Sequence, residues 1–110
     1  MKVFLSHPMH GKTREEVMKL RQEATARVMA LVGEDVEIIN NYDHEDAPEN
    51  AGRLWHLGRS IQQLGDADAM YLCEGFNHAN GCLVEHIIAR LYKVPVLNDK
   101  EGTLHGESGS

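Results

Sequence analysis

"HANGCLVEHIIARLYKVPV", residues 78–96, changes its hydrophobic period partway along. Up to Leu91 the apolar residues Leu83, Val84, Ile87, Ile88 and Leu91 recur at helical spacing. From Val94 the chain turns to a short apolar run, "VPVLN" (94–98), that suits a buried strand. A helix that leads directly into a strand is half of a β–α–β unit, and the rest of the chain repeats the pattern. "KVFLS" (2–6), "DVEIIN" (35–40) and "DAMYLC" (68–73) read as the earlier strands. Helices are expected from Thr13 to about Leu31, on Val17, Leu20, Ala24, Val28 and Leu31, and from about Ala51 to Leu64, on Leu54, Leu57, Ile61 and Leu64. Thr13 with Glu16 three residues later is a capping-box pattern, and Gly33 marks the stop. Strands joined by helical crossovers predict a single doubly wound α/β domain. The expected sheet has four parallel strands in the order 2-1-3-4.

Glu85 is the residue out of character in the opening stretch. At about 100° per residue the apolar stripe centres between Leu83 and Leu91, and Glu85 lies roughly 130° away from it. Periodicity alone therefore predicts a solvated first-turn glutamate, which also suits the helix dipole. Its place at the carboxyl end of the third strand predicts instead a carboxylate turned toward a ligand crevice.

The totals bound what else the chain can be. Its 110 residues make one domain, with a core modest enough that self-association would add useful burial. A net charge of -6 argues against general binding to nucleic acid or to anionic membrane. No apolar run approaches the ~20 residues that span a bilayer, and no secretory pattern opens the sequence. Cys73 and Cys82 are too few for a disulfide framework and read as lone buried thiols, so a cytoplasmic location is expected. Residues 99–110 hold little apolar content and read as a disordered tail.

Two loops leave strand ends on the same sheet edge and enter helices: "SHPMHGKTRE" and "CEGFNHANGCLVEH". A ligand pocket is expected between residues 6–13 and 74–85, where helix N-termini favour an anion or a polar sugar. Ser6, His7, Met9, Gly11 and Lys12 line it from the first loop and Gly75 from the second. "SHPMHGKT" misses the phosphate-loop pattern by one residue, because Ser6 stands where the first Gly belongs, and Pro8 removes an N–H donor. A plain strand-to-helix turn, with Gly11 supplying an unusual backbone angle, is the simpler reading. His78, Cys82 and His86 are spaced by four, but Asn80 and Gly81 look like the helix entry, which leaves His78 in the loop; no metal is expected.

Three stretches, "FLSHPMHGKTREE", "LGRSIQQLGDADAMYL" and "GCLVEHIIARLYKVPV", resemble a family of small phage and bacterial proteins related to the nucleoside 2-deoxyribosyltransferases. The likeness covers residues 1 to about 98. It implies a Rossmann- or flavodoxin-like fold, a nucleoside or nucleotide substrate, no cofactor and a homo-oligomer. It also implies that Glu85 attacks the anomeric carbon, forming a glycosyl ester as the base leaves. Gly81 matches the glycine four residues before that glutamate, and Ser60 falls where the enzymes carry a carboxylate that holds the sugar. Ala79 replaces a second acid or serine, and Leu83 replaces the second glycine. His7, His78 and Glu74 are the candidates to protonate the leaving base. The expected function is therefore an N-glycosidase or deoxyribosyltransferase; the alternative is a non-catalytic module for a nucleotide-derived ligand.

Overall fold

The computed structural model describes residues 1–99. Residues 100–110, most of the expected tail, lie outside the described residues. The elements are β1 (Lys2–Ser6), α1 (Arg14–Val32), β2 (Glu37–Ile38), α2 (Arg53–Leu64), β3 (Ala69–Leu72) and α3 (Asn80–Leu91), with a single 3-10 turn at Phe76–His78 before α3. Thr13 caps α1 as its sequence predicts. Its hydroxyl accepts from the Glu16 N–H at 3.1 Å, and the Glu16 carboxylate accepts from the Thr13 N–H at 2.8 Å. Gly33 follows α1 at φ 97°, a left-handed angle that favours glycine at a helix end.

The sheet is parallel with the order β2-β1-β3. Its register pairs Phe4 with Met70 and Ser6 with Leu72. Alternation along β1 then divides the core. Val3 and Leu5 face α1, joining Ala24, Val28, Tyr71 and Cys73. Phe4 faces α2 and α3, joining Leu64, Met70, Leu72 and Ala89. Helices therefore cover both faces, as a doubly wound domain requires.

The expected fourth strand is not formed. Residues 94–98 make one isolated parallel bridge, Met70 with Val96, in which the Met70 N–H donates to Pro95 C=O and the Leu97 N–H donates to Met70 C=O, both at 2.8 Å. Pro95 has no N–H with which to extend the ladder toward Asp68. In the other direction a side chain replaces the backbone: the Leu72 N–H donates to Asn98 Oδ1 at 2.9 Å, and Asn98 Nδ2 donates to Leu72 C=O at 2.7 Å. The carboxamide thus covers part of the β3 edge. Asn98→Ala leaves both Leu72 groups without these partners and should cost about 1–3 kcal/mol in chemical denaturation. A loss below ~0.5 kcal/mol would show that water replaces the amide fully.

Strand β2 is also shorter than the expected 35–40, with two paired residues. The larger difference lies on α3. Its buried residues are Cys82, Glu85, His86 and Ala89, whereas Leu83, Val84, Ile87 and Leu91 are exposed. Of the apolar stripe that the sequence assigns to the core, Leu83, Val84, Ile87 and Leu91 point away from it and Ile88 packs partly against it, and Glu85 is not a solvated residue. The sheet-facing side of α3 is narrow and built mainly from small and polar residues, with Ile88 at its border, so a count of large apolar side chains selects the opposite side.

Candidate functional site

Two buried polar clusters sit at the carboxyl end of β1, one on each face of the sheet, and strand alternation explains both. Ser6 shares the face of Phe4 and so meets α3; His7 shares the face of Leu5 and so meets α1. Ser6 is fully buried and its Oγ donates to Glu85 Oε1 at 2.7 Å. Glu85 is 7% exposed. Burial raises its carboxyl from 4.5 to about 7, although the Ser6 hydrogen bond works in the opposite direction. The Cys82 thiol, one turn earlier, is pushed up to about 11 by burial and stays protonated. Ser60 is buried on α2, on the same face of the sheet, and makes no side-chain hydrogen bond to Glu85 or Ser6 among the described residues.

On the other face Arg21 is the centre of the network. Its Nη1 donates to His7 Nε2 at 2.9 Å and to Asn41 Oδ1 at 2.6 Å, and its Nη2 donates to Ile39 C=O at 3.1 Å. Asn41 Nδ2 passes the connection on to Leu5 C=O at 2.9 Å. Because Arg21 can only donate, His7 Nε2 is an acceptor and the neutral imidazole carries its proton on Nδ1. Burial, then the Arg21 charge, lowers His7 to about 4, with Pro8 acting weakly the other way without closing a hydrogen bond on Nδ1. His7 is therefore neutral at pH 7 and lies across the sheet from Glu85. This arrangement does not suit it to give a proton to a base leaving a sugar held at Glu85. Glu74 and His78, the other two candidates, are exposed.

The remaining predicted site residues are spread along the loops. Met9, Gly11 and Lys12 are exposed, and Gly11 at φ 80° occupies the left-handed position of a turn closed by the Lys12 N–H to Met9 C=O at 3.1 Å. The loop is this single turn, not a phosphate cradle. Gly75 also has a left-handed backbone, at φ 87°, and a Cβ there would stand 3.4 Å from Pro8 Cγ, so the two loops meet at this point. A Cβ at Gly81 would come within 3.8 Å of Leu57 Cδ1, where α3 packs on α2.

The surface carries two depressions. One, of about 380 Å³, is lined by Glu74, Gly75, Asn77, Asn98 and Arg27 among others. The other, of about 410 Å³, lies between the acidic loop and α2 and is lined by Asp43, His44, Asp46 and Arg59 among others. Neither is lined by Ser6 or Glu85. Against α3, His86 Nε2 stands 3.1 Å from Asp99 Oδ2, both side chains being largely buried. Among the described residues no three His, Cys, Asp or Glu side chains are grouped to hold a metal ion. No described helix is long and apolar enough to cross a membrane.

Arg21, Asn41, Asn98 and Asp99 are the residues that sequence reasoning missed. Only Arg21 carried a signal: it stands four residues after Val17 and three before Ala24, inside the buried stripe of α1. Comparison of the chain with models of protein families, with characterised proteins and with solved structures finds no match.

Proposed function

We propose that the protein is an N-glycosidase or deoxyribosyltransferase acting on a nucleoside or nucleotide, with Glu85 as its nucleophile. The observation that carries this reading is the Ser6–Glu85 pair: a buried carboxylate at the carboxyl edge of a parallel sheet, oriented by a hydroxyl at 2.7 Å. In the first step a Glu85 oxygen bonds to the anomeric carbon while the carbon–nitrogen bond breaks, and its electron pair leaves with the base. In the second, water or an acceptor hydroxyl displaces Glu85 from the glycosyl ester. In hydrolysis the oxygen of water ends on the sugar, and the proton balance delivers one proton to the base. Ser60 is assigned to the sugar, and Ser6, His7, Met9, Gly11, Lys12, Gly75 and Gly81 to the surrounding binding surface. The likeness of the three stretches to the deoxyribosyltransferase relatives supports these roles. The working form is a homo-oligomer, since an apolar face of α3 stays uncovered in the single chain.

A second reading is a non-catalytic module for a nucleotide-derived ligand. It is favoured by Ser60 and Ala79 at positions where the enzymes hold further polar catalytic groups, and by the neutral, remote His7. One experiment separates the two. The protein is incubated with a panel of nucleosides, nucleotides and NAD, with free base followed by chromatography and melting temperature measured in parallel. Base release is the expected result. A thermal shift without release selects the binding module, and neither response to any compound would remove both readings.

A further inference from the structure

The two faces of the sheet are covered unequally. Leu64 of α2 and Ala89 of α3 pack on the face of Phe4, whereas the face of Leu5 meets α1. On α1, Arg21 and Arg27 flank the buried Ala24, one before it and one after it at equal spacing, so they lean to opposite sides of the helix. Arg21 turns toward β2, where it holds Ile39 and Asn41. Arg27 turns toward β3 and lines the depression of about 380 Å³ together with Tyr71, Glu74, Phe76, Asn77 and Asn98.

Three polar groups in this hollow lack partners among the described residues. Arg27 and Glu74 are both exposed, carry opposite charges, and form no ion pair with each other or with any other described residue. Tyr71 is only 7% exposed, yet its hydroxyl makes no hydrogen bond. Unlike His7 Nδ1 and Asp99 Oδ1, that hydroxyl is not sealed inside the protein, so it opens on the depression that its residue lines. A phenol buried this deeply ordinarily has a partner.

We propose that the depression binds a small zwitterion of the α-amino-acid class with an apolar side chain. The ligand carboxylate lies on the Arg27 guanidinium, whose planar fork presents paired donors, and accepts from the Tyr71 hydroxyl. Asn98 uses one Nδ2 proton and its oxygen on Leu72, which leaves its second Nδ2 proton for the same carboxylate. The ligand ammonium donates to the Glu74 carboxylate and to the Asn77 carboxamide oxygen. Its side chain lies against Phe76, which is itself half-buried on the core. Charge selects this class. A simple anion would meet the Glu74 carboxylate, a simple cation would meet Arg27, and an uncharged ligand would desolvate both without replacing their water. Size agrees, because the hollow is near the small end of the roughly 300–1,000 Å³ typical of small-molecule sites. A bound ligand would join α1, the loop that enters α3, and the segment held by Asn98. The site stands whether or not Glu85 is a nucleophile, since neither Ser6 nor Glu85 lines it.

Titration of the isotope-labelled full chain with L-leucine, and separately with L-phenylalanine, tests the proposal by NMR. Saturable binding is expected, with shift changes centred on Arg27 and on Glu74 to Asn77. Leucinamide lacks the carboxylate and N-acetyl-leucine lacks the ammonium, so each should bind at least about tenfold more weakly than leucine. Arg27→Gln and Glu74→Gln should each weaken leucine by a similar factor with the fold retained, because both side chains are exposed. Tyr71→Phe removes only the hydroxyl and should weaken leucine severalfold. Arg59→Gln, at the other depression, should leave the affinity unchanged. No saturable response to either amino acid, or shift changes that map elsewhere, overturns the proposal. So does leucine affinity that survives both Arg27→Gln and Glu74→Gln. N-acetyl-leucine or leucinamide binding as tightly as leucine overturns the zwitterion assignment.

Discussion

Glu85→Gln is expected to raise the melting temperature at pH 8 by on the order of 10 °C while reducing base release to background. The stability half follows from linkage. The Glu85 carboxyl is raised from 4.5 to about 7 in the folded protein. Between these values the unfolded chain gives up its proton and the folded chain keeps it, so the folded state binds more protons and stability falls as pH rises. The loss is complete once pH exceeds about 7 and corresponds to about 3 kcal/mol at full strength. Glutamine keeps the shape and an oxygen to accept from Ser6 but cannot ionise, so it avoids that loss. Below pH ~4.5 the two proteins should melt together, because Glu85 is then protonated in both the folded and unfolded states. An equal difference in melting temperature at pH 4 and pH 8 would show that Glu85 does not titrate in a buried setting. The activity half has the opposite sign with pH. Attack on an anomeric carbon requires the ionised carboxylate, so base release should climb as pH passes through about 7 and then level off. A wild-type rate that Glu85→Gln preserves would end the nucleophile assignment. One variant therefore reads both a physical cost and a chemical role at the same carboxylate, and the two can fail separately.

The order of elements was legible because it rests on local period. The helical repeat from Val17 to Val28 and the apolar runs at Val3–Leu5 and Met70–Leu72 each announce an element within a few residues. The capping box at Thr13 and Glu16 is equally local. The orientation of α3 was not legible, because periodicity fixes which residues share a face but not which face meets the sheet. Counting large apolar side chains chose Leu83, Ile87 and Leu91, while the sheet accepted Cys82, Glu85 and Ala89. The missing fourth strand had a partial signal in Pro95, but its replacement by the Asn98 carboxamide joins positions 26 residues apart. For the candidate site, sequence placed Ser6 and Glu85 at the correct edge of the sheet. It gave no sign that 79 residues of separation close to a 2.7 Å hydrogen bond. His7 was grouped with Ser6 because they are adjacent, yet adjacent strand residues point to opposite faces, so the sheet separates them.

Arg21→Met is expected to be among the most destabilising single changes in the described chain, costing about 3–5 kcal/mol in chemical denaturation. Methionine retains much of the apolar stem within the buried stripe of α1, so the loss reports mainly on the guanidinium. Three acceptors depend on it: His7 Nε2, Asn41 Oδ1 and the Ile39 carbonyl. His7 and Asn41 are buried, and their freed acceptors would have no protein partner. The damage also reaches the sheet, because β2 is paired to β1 through two residue pairs and Arg21 and Asn41 continue that attachment beyond the strand. Arg21→Lys should fall between wild type and Arg21→Met. One ammonium cannot reproduce the planar fork that holds acceptors on two different nitrogens. The same variants separate the two causes of the His7 shift. Removing the Arg21 charge should raise the His7 pKa from about 4, but not to 6.5, because burial is the larger cause. Histidine titration by NMR checks this. A cost below ~1 kcal/mol for Arg21→Met, with His7 still near 4, would mean that packing on the α1 face, not the guanidinium, holds the end of β1 and its loop in place.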